Sequence, residues 1–139
     1  MDPVLSSLVR INRQRIRDLR RRLAPYGYLG VMHLILLYVR RHPGARQEDV
    51  ACFYALDKTS VARDARRLED MGHLRREVDP DNRRQYQLYL TDAGQDMLPL
   101  LEDAYQAFSA KLSAGISGED WQKLQTLLQR LEKNSCPEG

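Results

Sequence analysis

The chain has 139 residues, of which 42% are hydrophobic and 29% charged. That is an ordinary globular balance, which argues against disorder and leaves room for one domain, or one domain with an attached assembly element. No apolar run approaches the ~20 residues of a membrane span, and the N-terminal stretch carries no apolar core followed by a small-residue cleavage site, so a cytoplasmic protein without a membrane partner is expected. The formal net charge is only +3, but it is unevenly spread: seven arginines stand against two aspartates between Met1 and Arg22, a second arginine cluster spans Arg63 to Arg84, and the chain from Thr91 onward is acidic on balance. Such asymmetry points to a polyanion partner for one part of the molecule. Arginine outnumbers lysine, and its planar fork suits phosphate and guanine.

In chain order, Leu5, Leu8, Asn12, Ile16, Leu19 and Leu23 recur at three- and four-residue steps, one face of a long helix that Pro25 and Gly27 end. Leu29 to Arg41 is apolar almost all round and predicts a central, buried helix stopped by His42-Pro43-Gly44. A short helix follows over Gln47 to Tyr54, with Val50 and Ala51 inward. The next helix starts at Asp57, whose side chain can accept the free amides of the first turn. Leu74 to Asp79 and Arg84 to Leu90 read as the two strands of a hairpin around Asp79-Pro80-Asp81-Asn82. Thr91 caps another helix bearing Leu98, Leu101, Tyr105, Phe108 and Leu112; Gly115 to Gly118 breaks it. A last helix carries Trp121, Leu124, Leu128 and Leu131 on one face, and the tail from Asn134 is expected to fray.

This is a mainly α (α+β) fold. Helix, short helix, basic helix and hairpin is the order of a winged helix-turn-helix lobe, spanning about residues 29–94. The amphipathic helices outside it, about 4–24 and 95–133, have apolar stripes that so small a lobe cannot cover. A two-fold homodimer in which they bury each other is the economical solution.

The helix after Asp57 is dense in arginine. At 100° per residue, Ala65 and Leu68 fall near Val61 and form the buried stripe, while Thr59, Arg63, Arg66, Arg67 and Asp70 lie opposite and Ser60 on the flank. In helix-turn-helix docking the first turns of the second helix reach base edges. Lys58, Thr59, Ser60 and Arg63 are therefore the candidate base contacts, Arg63 as a forked reader of guanine. Arg66 and Arg67 are the candidate phosphate contacts. A solvated face with internal ion pairs, Arg63 and Arg67 bracketing Asp64 and Asp70, is the alternative. Arg83 and Arg84 at the hairpin tip suit a minor groove or its phosphates, and Asp81 can either orient Arg83 or stabilise the turn.

The stretch HPGARQEDVACFYALDKTSVARDARRLEDMGHLRREVDPDNRRQYQLYLTDAG resembles the DNA-binding lobe of the MarR family of transcriptional regulators. The elements that carry the likeness are Asp57-Lys58-Thr59-Ser60-Val61-Ala62-Arg63, Leu68-Glu69 with Gly72, Asp81-Asn82-Arg83, and Leu90-Thr91-Asp92-Ala93-Gly94. The resemblance implies a single domain over the whole chain and a triangular homodimer on double-stranded DNA. It places recognition helices in successive major grooves of a pseudo-palindromic operator and wings in the flanking minor grooves. It also implies a repressor released by a small aromatic or phenolic ligand bound where the dimer helices meet the lobe. Tyr26, Tyr28, Met32, His33 and Tyr105 are the candidate pocket residues there. Arg46 departs from the family pattern, standing where a hydroxyl residue often caps the third helix; it has no acceptor and cannot cap, but it can hold a phosphate. Some family members sense oxidants through a cysteine in the first helix, where this chain has none. Here Cys52 lies on the third helix and Cys136 in the tail, so no thiol sensor is expected.

The two cysteines fit no metal or redox spacing, the three histidines are scattered, and no catalytic motif is present. Neither metal, cofactor nor enzymatic activity is expected. The competing readings are a non-specific architectural or RNA-binding winged helix, and, from another class, a protein-interaction scaffold or small enzyme.

Overall fold

A computed structural model describes residues 1–136. The chain forms two compact units, Met1–Tyr105 and the remainder from Gln106. In the first unit, α1 (Pro3–Leu23) starts on Asp2, whose carboxylate accepts the Val4 amide at 2.7 Å, with Pro3 in the first helical position, where its missing N–H costs nothing. Arg20, Arg21 and Arg22 fill the last turn, where the helix dipole favours cations. A 3-10 turn over Ala24–Tyr26 then leads to α2 (Met32–Arg41).

Helix α2 begins three residues later than the apolar run implies. Gly30 has φ +53°, a left-handed conformation that a right-handed helix cannot contain, so Leu29 to Val31 form a turn and Leu29 stays exposed. Helix α3 (Gln47–Tyr54) buries Val50 and Ala51 as expected. Arg46 does not cap it with its side chain; instead the Asp49 carboxylate accepts the Arg46 amide at 2.9 Å. Ala55, in the left-handed region at φ 54°, makes the turn into α4 (Lys58–Asp70), and Asp57 caps α4 by accepting the Ser60 amide at 3.1 Å.

Strands β1 (Leu74–Asp79) and β2 (Asn82–Leu90) are antiparallel, with Leu74 opposite Leu90 and Val78 opposite Tyr86. A bridge between Ala45 and Leu88 ties the α2–α3 connection to the sheet. The core draws on α1 to α5 and both strands: Leu19 and Leu23 of α1, Ile35, Leu36 and Val39 of α2, Val50 of α3, Val61, Ala65 and Leu68 of α4, Leu74, Leu88, and Met97, Leu98 and Leu101 of α5 (Asp92–Leu112). On α1 only Leu19 and Leu23 of the expected stripe are buried; Leu5, Leu8 and Ile16 remain exposed.

In the second unit, α6 (Gly118–Ser135) is capped by Ser117 and has no buried residue; Leu124, Leu127 and Leu131 are exposed. It stays helical through Ser135, past the point where fraying was expected, because nothing in Asn134-Ser135 interrupts the ladder and Cys136 still donates to Glu132. The end of that tail lies outside the described residues.

The junction of hairpin and α5 is tight. The Thr91 hydroxyl donates to the Gly72 carbonyl at 2.5 Å and accepts the Gly94 amide at 3.1 Å. A Cβ at Gly94 would strike the His73 carbonyl oxygen, a backbone atom that cannot swing aside. Gly94→Ala is therefore expected to lower unfolding free energy in urea by about 2 kcal/mol or more, an overpacking cost. Gly118→Ala, with nothing within 4 Å, is expected to be neutral or slightly stabilising.

Candidate nucleic-acid interface and adjoining cavity

Val61, Ala65 and Leu68 have no solvent exposure and press α4 onto the core, which turns the opposite side outward: Lys58, Thr59, Arg63, Arg66 and Arg67 are exposed and Ser60 is half-buried. The Ser60 hydroxyl donates to Asp57 at 3.1 Å, so it belongs to the cap before it can belong to a base. The buried side is not wholly apolar. Asp64 is 0% exposed and fully partnered: one carboxylate oxygen accepts the Val31 amide at 2.8 Å, the other Arg67 at 3.1 Å and Arg63 at 3.3 Å. The expected bracketing of Asp64 by two arginines is thus real, but it is a buried link to the start of α2 and not a solvated pair.

At the hairpin tip, Pro80 and Asp81 make a two-residue turn, and Asp79 pairs with Asn82 while Val78 already pairs with Tyr86. Arg83, Arg84 and Gln85 consequently fall in a bulge of β2, which bends the strand and takes these residues out of the ladder, with Gln85 half-buried. Both arginines are exposed. The turn is held by Asp79, not by Asp81. The Asp79 carboxylate, 1% exposed, accepts the Asp81 amide at 2.9 Å and the Arg46 guanidinium at 2.5 Å. Among the described residues no hydrogen bond or ion pair joins Asp81 to Arg83. The support expected of Asp81 falls to its neighbour because Asp79 faces inward, where Arg46 can reach it. Arg46 therefore braces the wing against α3.

The ion pairs sort the cations. Arg63 and Arg67 share Asp64, Arg46 holds Asp79, Arg75 pairs with Glu77 and stacks on Tyr89, and Arg76 pairs with Glu69 and stacks on Tyr86. Among the described residues Lys58, Arg66, Arg83 and Arg84 have no carboxylate within salt-bridge distance. These four unpaired cations stand on α4 and on the wing. Lys58 and Arg84 also line one groove, of about 420 Å³, with Arg46, Arg76 and Tyr86.

A larger cavity, about 660 Å³, opens between α1, the turn before α2 and the end of α3. Of the candidate pocket residues, Tyr28, His33 and Tyr105 line it, together with Arg15, Arg20, Asn12 and Tyr54. Tyr26 and Met32 do not. Tyr26 sits half-exposed on the 3-10 turn, while Met32, 1% exposed, is core at the head of α2 and takes the Leu29 amide on its sulfur. Two tyrosine–histidine pairs stiffen the wall: Tyr105 with His33 Nδ1 at 2.8 Å and Tyr28 with His73 Nδ1 at 2.6 Å. Burial pushes the Tyr105 hydroxyl up to about 12 and raises that of Tyr28, so both stay protonated at neutral pH.

Comparison with known proteins agrees with this geometry. The MarR family profile matches residues 32–86. A solved structure of MarR is 30% identical and superposes with a TM-score of 0.87 over 97% of this chain and 94% of that one. The chain belongs to the MarR family. The transcriptional regulator SlyA is similar too, at 26% identity and a TM-score of 0.88 over 95% of this chain and 93% of its own. So is an HTH-type transcriptional regulator of Bacillus subtilis (strain 168), YybA, 28% identical over 102 residues, which are 73% of this chain and 68% of that protein. The present protein is a MarR-family transcriptional regulator with a winged-helix DNA-binding fold. Among the described residues no helix is long and apolar enough to cross a membrane.

Of the two buried carboxylates of this MarR-family lobe, Asp79 is legible in the sequence only as a turn residue and Asp64 only as part of a solvated ion-pair set. The signal for the burial of Asp64 was its place, three residues from Val61 and four from Leu68, on the apolar stripe. Asp79 and the buried His33 matter for behaviour in acid. Burial and then the Arg15 guanidinium push the His33 imidazole down to about 4, against an ordinary value of about 6.5. Between those values the unfolded chain binds the extra proton, so this contribution is complete above about pH 6.5 and is lost as pH falls toward 4, at most about 3 kcal/mol. The Asp81 amide, and after it Arg46, holds the Asp79 carboxyl below its ordinary value, a contribution present at neutral pH and likewise lost on acidification. Urea midpoints are expected to fall steadily from pH 7 to 4, and His33→Gln is expected to flatten the stretch between pH 6.5 and 4. Parallel profiles would remove His33 from this account.

Proposed function

We propose that the chain acts as a homodimeric repressor that reads a pseudo-palindromic operator and is released by a small aromatic ligand. The single observation that carries the DNA reading is the set of unpaired cations on two projecting elements, Lys58 and Arg66 on α4 and Arg83 and Arg84 in the wing bulge. Positive charge gathered on one projecting helix and one hairpin tip is the footprint of a polyanion partner. Thr59, Ser60 and Arg63 occupy the first turns of α4, from which base edges are reached. Arg66, Arg67, Arg83 and Arg84 hold phosphates or enter the minor groove, and Arg46 braces the wing that carries the last two.

Support for the dimer comes from each unit separately. Leu5, Leu8, Ile11 and Ile16 on α1, and Leu124, Leu127 and Leu131 on α6, are uncovered, and a second copy is the natural cover for such stripes. Support for the ligand comes from the cavity, large enough for a small molecule, walled by aromatic groups with Arg15 and Arg20 at hand for an anionic substituent. A ligand acts only through its differential affinity for the DNA-competent state. The protein is a binding protein of the cytoplasm in this reading, not an enzyme.

The test is selection from a random-sequence duplex pool at about physiological salt, where specific complexes remain tight. The expected result is enrichment of a pseudo-palindrome with half-sites about one helical turn apart. Arg83→Ala with Arg84→Ala is expected to weaken binding to every duplex alike and to reduce the salt dependence by about two phosphate contacts. Retention without enrichment would support the architectural reading instead. No retention after removal of any co-purified small molecule would sink the DNA reading.

A further inference from the structure

The arginines of α4 are of two kinds. Arg66 has no carboxylate partner among the described residues, whereas Arg63 and Arg67 converge on one oxygen of Asp64. The other oxygen of Asp64 is fixed from outside the helix by the Val31 amide. The site is built to keep it there. Gly30 approaches so closely that a Cβ on it would lie 2.5 Å from the same oxygen, and the carboxylate has no solvent exposure. A buried carboxylate is no better for stability than a well-packed apolar side chain, so its presence on the core-facing stripe of α4 is accounted for by what it orients.

We propose that Asp64 is a positioning residue for sequence selectivity: anchored on the Gly30–Val31 turn, it holds the Arg63 and Arg67 guanidiniums in fixed directions before DNA arrives. This rests on the DNA-binding reading above and adds to it a division of labour. A phosphate is satisfied by a mobile charge, as on Arg66. Discrimination between bases needs an oriented fork, and a fork already immobilised gives up less side-chain freedom on binding. Arg63 donates only through Nε and Arg67 through one terminal nitrogen, and each retains further donors among the five of a guanidinium. Both side chains are about half exposed, 54% and 44%, so those donors remain open to a ligand. The assignment also revises the role given to Arg67, from phosphate contact to partner of Arg63 in readout.

The experiment compares two affinities for each variant: one for the duplex enriched from a random pool by the unaltered protein, one for a scrambled duplex of the same composition. Asp64→Asn keeps an oxygen for the Val31 amide but loses the charge that holds the guanidiniums. Its affinity for the enriched duplex is expected to fall about tenfold or more, the scale of one forked base contact. Its affinity for the scrambled duplex is expected to hold or rise, because one negative charge has gone. A merely structural residue would weaken both in parallel; that outcome, or no change in either, overturns the proposal. Should Asp64→Asn fail to fold by thermal melting, Arg67→Lys decides the matter. It keeps the charge and removes the fork, so selectivity is expected to drop with scrambled-duplex affinity intact, and unchanged selectivity overturns the proposal. If the unaltered protein enriches no sequence, the DNA reading itself falls at the selection step, before any variant is made, and this inference falls with it.

Discussion

A carboxylate removed from water has to be given partners, and the placement of Asp64 on the core side of α4 constrains everything around it. Its two oxygens take one backbone amide from the head of α2 and two guanidiniums from α4 itself. The amide partner fixes where α2 can start, which is why the turn before it contains a left-handed glycine with no room for a side chain. The guanidinium partners decide which arginines of the helix are held and which are loose. The negative charge also sits at the N-terminal end of α2, where the helix dipole favours it. Breaking such a buried pair leaves an uncompensated charge, which costs on the order of 3–5 kcal/mol.

A second buried carboxylate repeats the arrangement at the wing. Asp79 closes the hairpin turn through the Asp81 amide and reaches across to Arg46 at the start of α3. The bulge that follows it carries Arg83 and Arg84 out of the ladder. In both places an inward-facing aspartate fixes the backbone, and the basic side chains that surround it are left at the surface. The result is a lobe that presents unpaired positive charge on α4 and at the hairpin tip, Lys58, Arg66, Arg83 and Arg84. Its large cavity lies along α1 and includes Gly30 and Val31 in its wall, so the anchor of Asp64 is also part of the cavity lining.

Local signals made most of the fold legible. Asp57, Thr91, Pro25 and the Pro43-Gly44 stop act within a few residues of themselves, and the bounds of α3, α4 and β1 follow from them almost residue for residue. Periodicity found Val61, Ala65 and Leu68. It could not find what depends on distant partners. The head of α2 lost its first residues to a turn held by a side chain 33 positions away. Support for the wing moved from Asp81 to Asp79 because Arg46, remote in sequence, lies under it. Met32 looked like a pocket residue and is core, since an apolar run says that a side chain is buried but not what it faces. The stripes of α1 and α6 read as apolar, and Leu5, Leu8, Leu124 and Leu131 on them are exposed in the single chain.

The most direct test of the central claim, that the helix and wing cations of two copies read successive grooves of one duplex, is a chemical footprint on the enriched duplex with separate major- and minor-groove probes. Two major-groove protections about one helical turn apart on one face of the duplex are expected, flanked by minor-groove protections from the wings. A single protected half-site, or uniform protection with no period, would contradict the claim.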